Sequence, residues 1–324
     1  MGTHSDQADI DLMTEIASLY YVDGDTQESI AQRLAISRIK VGRLLKRAQQ
    51  EGIVDVRVRY HPSVSAEIEQ EFKQRFGLQR LLVAPENKVP DVQRANVASL
   101  VADHLFRTLS DGSIVAVGMG RNVGAVADNA FGDGKYRCSF ICAIGGSVHA
   151  GEYMNPDHIC RRLAARFGGE SETLYAPALA QSSELRDAIY ENVTVKTSLD
   201  RARRADIALI GVGDLSESSN MVRMGWFSPK EVAEARLDGT VGDMMGYDFI
   251  DIHGHSANTT MQGRIIGLSI SDLRRIPDVV AIASENTKAA GILGALRTGA
   301  IDTLATSVTN AQTILSLDDA TKTA

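Results

Sequence analysis

Over the first fifty or so positions apolar residues recur at helical spacing, and from Leu81 onward short β-branched runs alternate with helical stretches. The early part reads as three short helices. Asp11 to Tyr21 forms the first, and Thr26 caps the second, "TQESIAQRL", with Glu28 in its first turn. "AIS" makes a tight turn, and Ser37 caps the third helix, "RIKVGRLLKRAQQEG", which Gly52 closes. "IVDVRVRY" then alternates apolar and polar residues as a half-exposed strand does. After the break at "HPS", Ile68, Phe72 and Phe76 mark one face of an amphipathic helix. The remainder alternates "RLLVA", helix 91–109, "SIVAVG", helix 122–131, "CSFICAIGG", helix 156–167, "ETLYAP" and helix 183–204. It continues with "DIALIGVG", a mixed region 214–270, "VVAIAS", helix 286–298, "IDTLATS" and a last helix from Thr309. This pattern predicts an α/β chain. A small helix-turn-helix domain (1–60) and a connector helix (61–80) precede a doubly wound, mainly parallel sheet covered on both faces (81–324).

Charge sharpens the picture at the third helix. The 324-residue chain is acidic, with a net charge of -7, yet Arg33 to Arg59 holds eight basic residues against two acidic ones. On a helical wheel Val41, Leu44, Leu45 and Ala48 share one face, while Ile39, Arg43, Lys46 and Arg47 point the other way. A capped helix after a tight turn, with this charge, suits insertion into a DNA major groove. Arg38, Ile39, Lys40 and Arg43 are placed to reach base edges, an outward Ile39 suits a thymine methyl, and the capping Ser37 is counted with them among the DNA-binding residues. Lys46, Arg47, Arg57 and Arg59 are better placed for phosphates.

Cys138, Cys142 and Cys160 form no disulfide framework and no C-x-x-C pair. The polar start lacks the apolar core of a signal peptide, and no apolar run is long enough to span a bilayer, so a cytoplasmic protein is expected.

"SIVAVGMGRNVGAVAD" resembles a dinucleotide fingerprint, but its glycine spacing is one residue too long. The next strand also ends in Ala143-Ile144-Gly145-Gly146, without the acid that would hold a ribose. No cofactor is therefore expected. Glycines at Gly118/Gly120, Gly145/Gly146 and Gly211/Gly213 instead mark strand ends where parallel sheets bind small ligands. "DFIDIHGHSAN" carries Asp248, Asp251, His253 and His255, either as a metal site or as a polar turn at a pocket mouth. The turn is the expectation, with no metal and with His253 lining the pocket.

"LYYVDGDTQESIAQRLAISRIKVGRLLKRAQQEGIVDVRV", "VAVGMGRNV", "AIGGS", "ADIALIGVGDL", "VGDMMGYDFIDIHG" and "KAAGILGALRTGAIDTLATSVTNAQTIL" resemble, in order and spacing, the SorC/DeoR family of sugar-responsive transcriptional regulators. The resemblance covers nearly the whole chain. It implies a C-terminal fold like that of phosphosugar isomerases and deaminases, used to bind a sugar without turning it over. It also implies operator DNA and a sugar, polyol or phosphosugar effector as partners, and a homo-oligomer, dimer or tetramer. Carried over by motif, Gly118, Gly120, Arg121 and Asn122 form the ligand loop, with Gly145 and Gly146 at the neighbouring strand end. By the same resemblance Asp243 binds hydroxyls and Lys288 contacts the effector.

Two departures stand out. Asn122 replaces the usual Thr, and Ser284-Glu285 replace a glycine pair. Glu285 would repel a phosphate and accept hydrogen bonds from hydroxyls, so the expectation is an unphosphorylated polyol or sugar, or a phosphate held more weakly than in relatives. Erythritol-operon regulators belong to this family, which adds a four-carbon polyol to the candidates. The enzyme alternative, an isomerase or deaminase using Asp243, Asp251 and His253, lacks an independent catalytic signature.

Overall fold

The computed structural model describes residues 3–54, 62–130, 136–216, 219–245, 248–257 and 263–322. The chain divides into two compact units, Met1–Val58 and Arg59–Ala324.

The first unit contains α1 (Thr3–Tyr21), α2 (Gln27–Arg33) and α3 (Arg38–Gln50). Met13, Ile16, Ile30, Val41, Leu44, Leu45 and Ala48 form its small core. Both expected caps are in place: Thr26 Oγ1 accepts from Ser29 N at 3.1 Å, and Ser37 Oγ from Lys40 N at 3.2 Å. Each occupies an amide that the helix itself leaves unbonded. The turn between α2 and α3 runs through Ala35 at φ 51°, a left-handed conformation that a side chain resists. Helix α1 starts at Thr3, well before the expected Asp11. Of the strand expected over 53–60, only Ile53 and Val54 lie within the described residues. They pack against the small core as irregular chain. Arg57 and Arg59 lie outside the described residues.

The second unit is a mostly parallel sheet. Its strands are β1 (Arg80–Ala84), β2 (Ile114–Val117), β3 (Ser139–Cys142), β4 (Glu170–Glu172), β5 (Ile207–Asp214), β6 (Thr240–Met244), β7 (Asp248–Asp251), β8 (Asp278–Ile282) and β9 (Thr303–Ser307). The parallel order is β1-β9-β8-β5-β2-β3-β4, and β6 and β7 form an antiparallel extension from the end of β5. Strand interiors such as Val115–Val117 and Ile207–Ile210 are fully covered, as a sheet packed on both faces requires.

The helices are α4 (Pro62–Phe76), α5 (Pro90–Thr108), α6 (Arg121–Asp128), α7 (Gly151–Met154), α8 (Pro156–Phe167), α9 (Ser183–Tyr190), α10 (Val193–Ala202), α11 (Asn220–Arg223), α12 (Pro229–Leu237), α13 (Ile270–Leu273), α14 (Ala289–Arg297) and α15 (Val308–Lys322). The single helix expected over 183–204 is in fact two. Asn192 ends the first run and caps α10, accepting from Thr194 N and Val195 N. The strand expected at "ETLYAP" stops at Glu172.

Helix α4 docks on this unit through buried Phe72, with Ile68 and Phe76 beside it. Arg75 on α4 pairs with Asp318 of α15 at 3.3 Å, and Asp318 also receives Arg297 from the end of α14 at 2.7 Å. The connector is thereby tied by charge to the last two helices of the unit.

Asp248, at the start of β7, accepts a 2.6 Å hydrogen bond from Ile270 N. Burial nevertheless lifts its carboxyl to about 6, against the opposing pull of that amide. A carboxyl raised above its unfolded value favours folding while protonated, and this contribution is lost as pH rises through about 6. Asp248→Asn keeps the acceptor without the charge. The variant is expected to gain about 1–3 kcal/mol at pH 8, a gain that shrinks as pH falls toward 4, measured by thermal melts across pH.

Candidate functional site

Strands β2 and β5 are neighbours, and the parallel sheet extends from β2 through β3 to β4 on one side and from β5 through β8 to β9 on the other. The strand order reverses between them, and a crevice opens at such a switch point. A cavity of about 320 Å³ lies there. Its floor is the end of β5, Gly211 to Asp214, and one side is the first turn of α6 with Gly120, Arg121 and Asn122. Glu285, Thr287 and Lys288 close the side after β8, and Asp243 of β6 lies beside Gly213. Gly120 sits at φ 113°, a conformation open to glycine, and its N–H donates to Met154 O at 3.0 Å.

Glycines behind the cavity set its dimensions. A Cβ on Gly213 would stand 1.9 Å from Asp243 Oδ1, and one on Gly291 of α14 would stand 2.8 Å from Gly213 O. On Gly242 it would meet Gly291 Cα at 2.7 Å. Bare backbone at these points lets α14 close on the β5–β6 pair and leaves the buried Asp243 carboxylate its space.

The three residues of the two departures noted in the sequence form one hydrogen-bonded group. Ser284 Oγ donates to Asn122 Oδ1 at 2.6 Å, and Asn122 Nδ2 donates to Glu285 Oε2 at 2.8 Å. Lys288 Nζ stands 3.0 Å from the same oxygen, while Arg94 and Arg121 stand 3.8 and 4.0 Å from Oε1. Among the described residues no donor lies within hydrogen-bond reach of Oε1. Burial opposes ionisation of Glu285, but the Lys288 charge and the hydrogen bonds from Asn122 and Lys288 outweigh it and hold the carboxyl at about 2. The group after β8 is also braced from behind, with Thr287 Oγ1 donating to Asp214 Oδ2 at 2.8 Å.

Gly120, Arg121, Asn122, Asp243, Glu285 and Lys288 thus converge on one cavity, but four expected ligand contacts stand elsewhere. Gly118 is covered by the backbone of Leu209 and the side chain of Met245. Gly145 is pressed against Pro177, whose carbonyl oxygen would lie 2.4 Å from an added Cβ. Gly146 lines an adjoining hollow of about 550 Å³. His253 is in an exposed turn that Asp251 holds together, Oδ1 accepting from His253 N and His255 N. In that turn Asp251 serves the backbone. Among the described residues no three His, Cys, Asp or Glu side chains gather as metal ligands.

Sequence reasoning missed the apolar wall: Met119, Met154, Met221, Met224, Met245 and Trp226. Met245 holds the left-handed φ of 58°, an unusual conformation for a long side chain and a pointer to functional sites. A single tryptophan next to a methionine-rich stretch was the available signal.

On α3, Ile39 is 85% exposed, an apolar side chain presented to solvent at the start of a helix. Arg38, Arg43 and Lys46 are exposed, Lys40 is half-buried, and the hydroxyl of Ser37 is occupied by its cap. Arg47 is engaged by Asp9 at 3.1 Å and Glu51 at 2.9 Å, so a phosphate would have to compete for it.

Residues 60–316 match the family described as "Putative sugar-binding domain". The chain is 31% identical to the transcriptional regulator LsrR of Escherichia coli (strain K12), over 94% of each protein. The full-length sorbitol operon regulator SorC from Klebsiella pneumoniae superposes with a TM-score of 0.74 at 28% identity, covering 95% of this chain and 99% of that one. A structure described as "Putative Sugar-Binding Domain of Transcriptional Repressor from Vibrio fischeri" is 50% identical with a TM-score of 0.74, over 78% of this chain and 99% of its own. The chain belongs to the SorC family of sugar-binding transcriptional regulators.

Proposed function

We propose that this regulator controls a carbohydrate or polyol operon by binding an unphosphorylated sugar or polyol in the cavity at the β2–β5 switch point. One observation carries the reading: the Glu285 carboxylate already fills the cationic corner made by Lys288, Arg94 and Arg121. An incoming phosphate would meet an ionised carboxylate there, whereas a hydroxyl is a donor that a carboxylate accepts. Asp243 and Asp214 supply further oxygen acceptors, suited to hydroxyl-rich ligands.

Binding without turnover fits the same group. A carboxyl held at about 2 is a poor general acid or base near neutral pH, where catalysis favours groups of matched pKa. The protein acts in the cytoplasm as a homo-oligomer whose paired α3 helices reach successive major grooves. The effector favours one arrangement of those helices only to the extent that it binds that arrangement more tightly.

Three outcomes test this. Calorimetric titration should give at least tenfold tighter binding of a neutral sugar or polyol than of its phosphate, and Ser284→Gly with Glu285→Gly should reverse the order. Preference for the phosphate in the parent protein would overturn the reading. Lys288→Ala should leave affinity for a DNA duplex selected from a random library within about twofold while removing the effector response. Arg43→Ala should weaken that duplex by about 1–3 kcal/mol and relax selectivity at one position of each half-site, measured by electrophoretic mobility shift.

A further inference from the structure

Two helices of the second unit start at the cavity and end on one buried carboxylate. We infer that this carboxylate, Asp318, is the residue through which the state of the cavity reaches the connector α4 and, along the chain, the DNA-binding unit. The inference needs only the regulatory role of the family, and it holds whether the effector is neutral or phosphorylated.

Helix α14 begins at Ala289, directly after Lys288 of the cavity, and ends at Arg297. Helix α15 is bonded to the same turn near its own start. There the buried Asn310 donates through Nδ2 to Glu285 O at 3.1 Å. Eight residues further along α15, Asp318 Oδ1 accepts from Arg297 Nη2 at 2.7 Å. Thr321 Oγ1, also on α15, accepts from the same nitrogen at 2.7 Å. At about 1.5 Å of rise per residue, each path from the turn to this corner is about 12 Å long. Ile292, Leu293 and Leu296 of α14 and Ala311 and Ile314 of α15 belong to one buried core, and the two helices pack on each other. The turn, the two helices and the Arg297–Asp318 pair therefore close a frame. A close-packed frame of this kind transmits a displacement instead of absorbing it.

The connector is attached at the far corner. Arg75, in the last turn of α4, stands 3.3 Å from Asp318 Oδ2, and Lys322 Nζ stands 2.6 Å from the same oxygen. The Asp318 side chain is only 1% exposed, so three cations share a carboxylate closed to solvent. Arg75 also pairs with Glu71 at 3.2 Å and with Asp319. Glu71 lies on α4 itself, however, and Asp319 is 64% exposed. An exposed pair contributes little, whereas a buried charge that loses its partner is costly. Asp318 is accordingly the contact that makes a shift of α14 or α15 matter to α4. Helix α4 is in turn the first element after the DNA-binding unit, Met1–Val58.

Coupling between two binding sites is reciprocal, so DNA held by α3 must be felt at the turn before α14. The test is amide hydrogen exchange on the full chain, free and saturated with a DNA duplex selected from a random library. In the parent protein the duplex should change exchange of the amides of residues 285–291 by at least about threefold. Asp318→Asn and Arg75→Gln should each remove that change while still binding the duplex, and Asp319→Asn should keep it. Melting curves check that the variants fold. If Asp318→Asn does not, Arg75→Gln decides, because it leaves Asp318 with Arg297 and Lys322. A merely structural Asp318 would lower the melting temperature and speed exchange equally with and without DNA, and that result overturns the inference. So does a parent protein whose turn ignores the duplex, or an Asp319→Asn variant that loses the response as fully as Arg75→Gln.

Discussion

Helix α14 can reach the β5–β6 pair only because Gly213, Gly242 and Gly291 carry no side chains where their backbones meet. That approach places the turn before α14, with Glu285 and Lys288, across the crevice from the first turn of α6. It also leaves the Asp243 carboxylate packed beside Gly213, where a single methyl group would displace it. The cavity is therefore a product of backbone packing first and of side-chain chemistry second. Interiors of native density do not absorb an added methyl without movement.

Within this frame the electrostatics are settled inside the protein. Glu285 does not wait for a ligand to neutralise Lys288, because it lies 3.0 Å from it and shares Asn122 with Ser284. These residues act as a set. Removing Glu285 alone would leave Lys288 without its partner and the Asn122 amide without its acceptor, and unpaired buried charge is costly. Around α11 the lining brings thioethers and an indole whose polar edge is turned to Ser147, with Ser219 and Asn220 beside them.

Much of this was readable from residue order. β-Branched runs of four or five residues between helical stretches specified the parallel sheet, and Thr26 and Ser37 announced the starts of α2 and α3. The convergence of Asn122, Asp243, Glu285 and Lys288 was likewise anticipated through family resemblance. What failed has a common cause. A glycine admits a close neighbour, but the sequence does not say whether that neighbour is a ligand or the protein's own backbone. Gly145 meets Pro177, and Gly118 meets Leu209 and Met245. The methionine wall escaped notice because apolar residues around Met221 and Trp226 share the pattern of ordinary core. His253 looked available until Asp251 was seen to bind the turn together. Asn192 split one expected helix because its side chain offers backbone amides a competing acceptor.

The internal pairing of Glu285 with Lys288 has a consequence for how the two units experience their surroundings. A charge pair already closed at 3.0 Å has few bound counterions to release, so a neutral ligand entering beside it displaces little salt. Helix α3 is in the opposite condition. Its exposed Arg38, Arg43 and Lys46 meet a polyanion only by displacing the cations condensed on it, and that exchange weakens steeply as ionic strength rises. Osmotic change in the cell would therefore be felt at the DNA and barely at the sugar. The same molecule would read its metabolite on a scale that salt does not move, while its hold on the operator drifts with every ion the cell takes up.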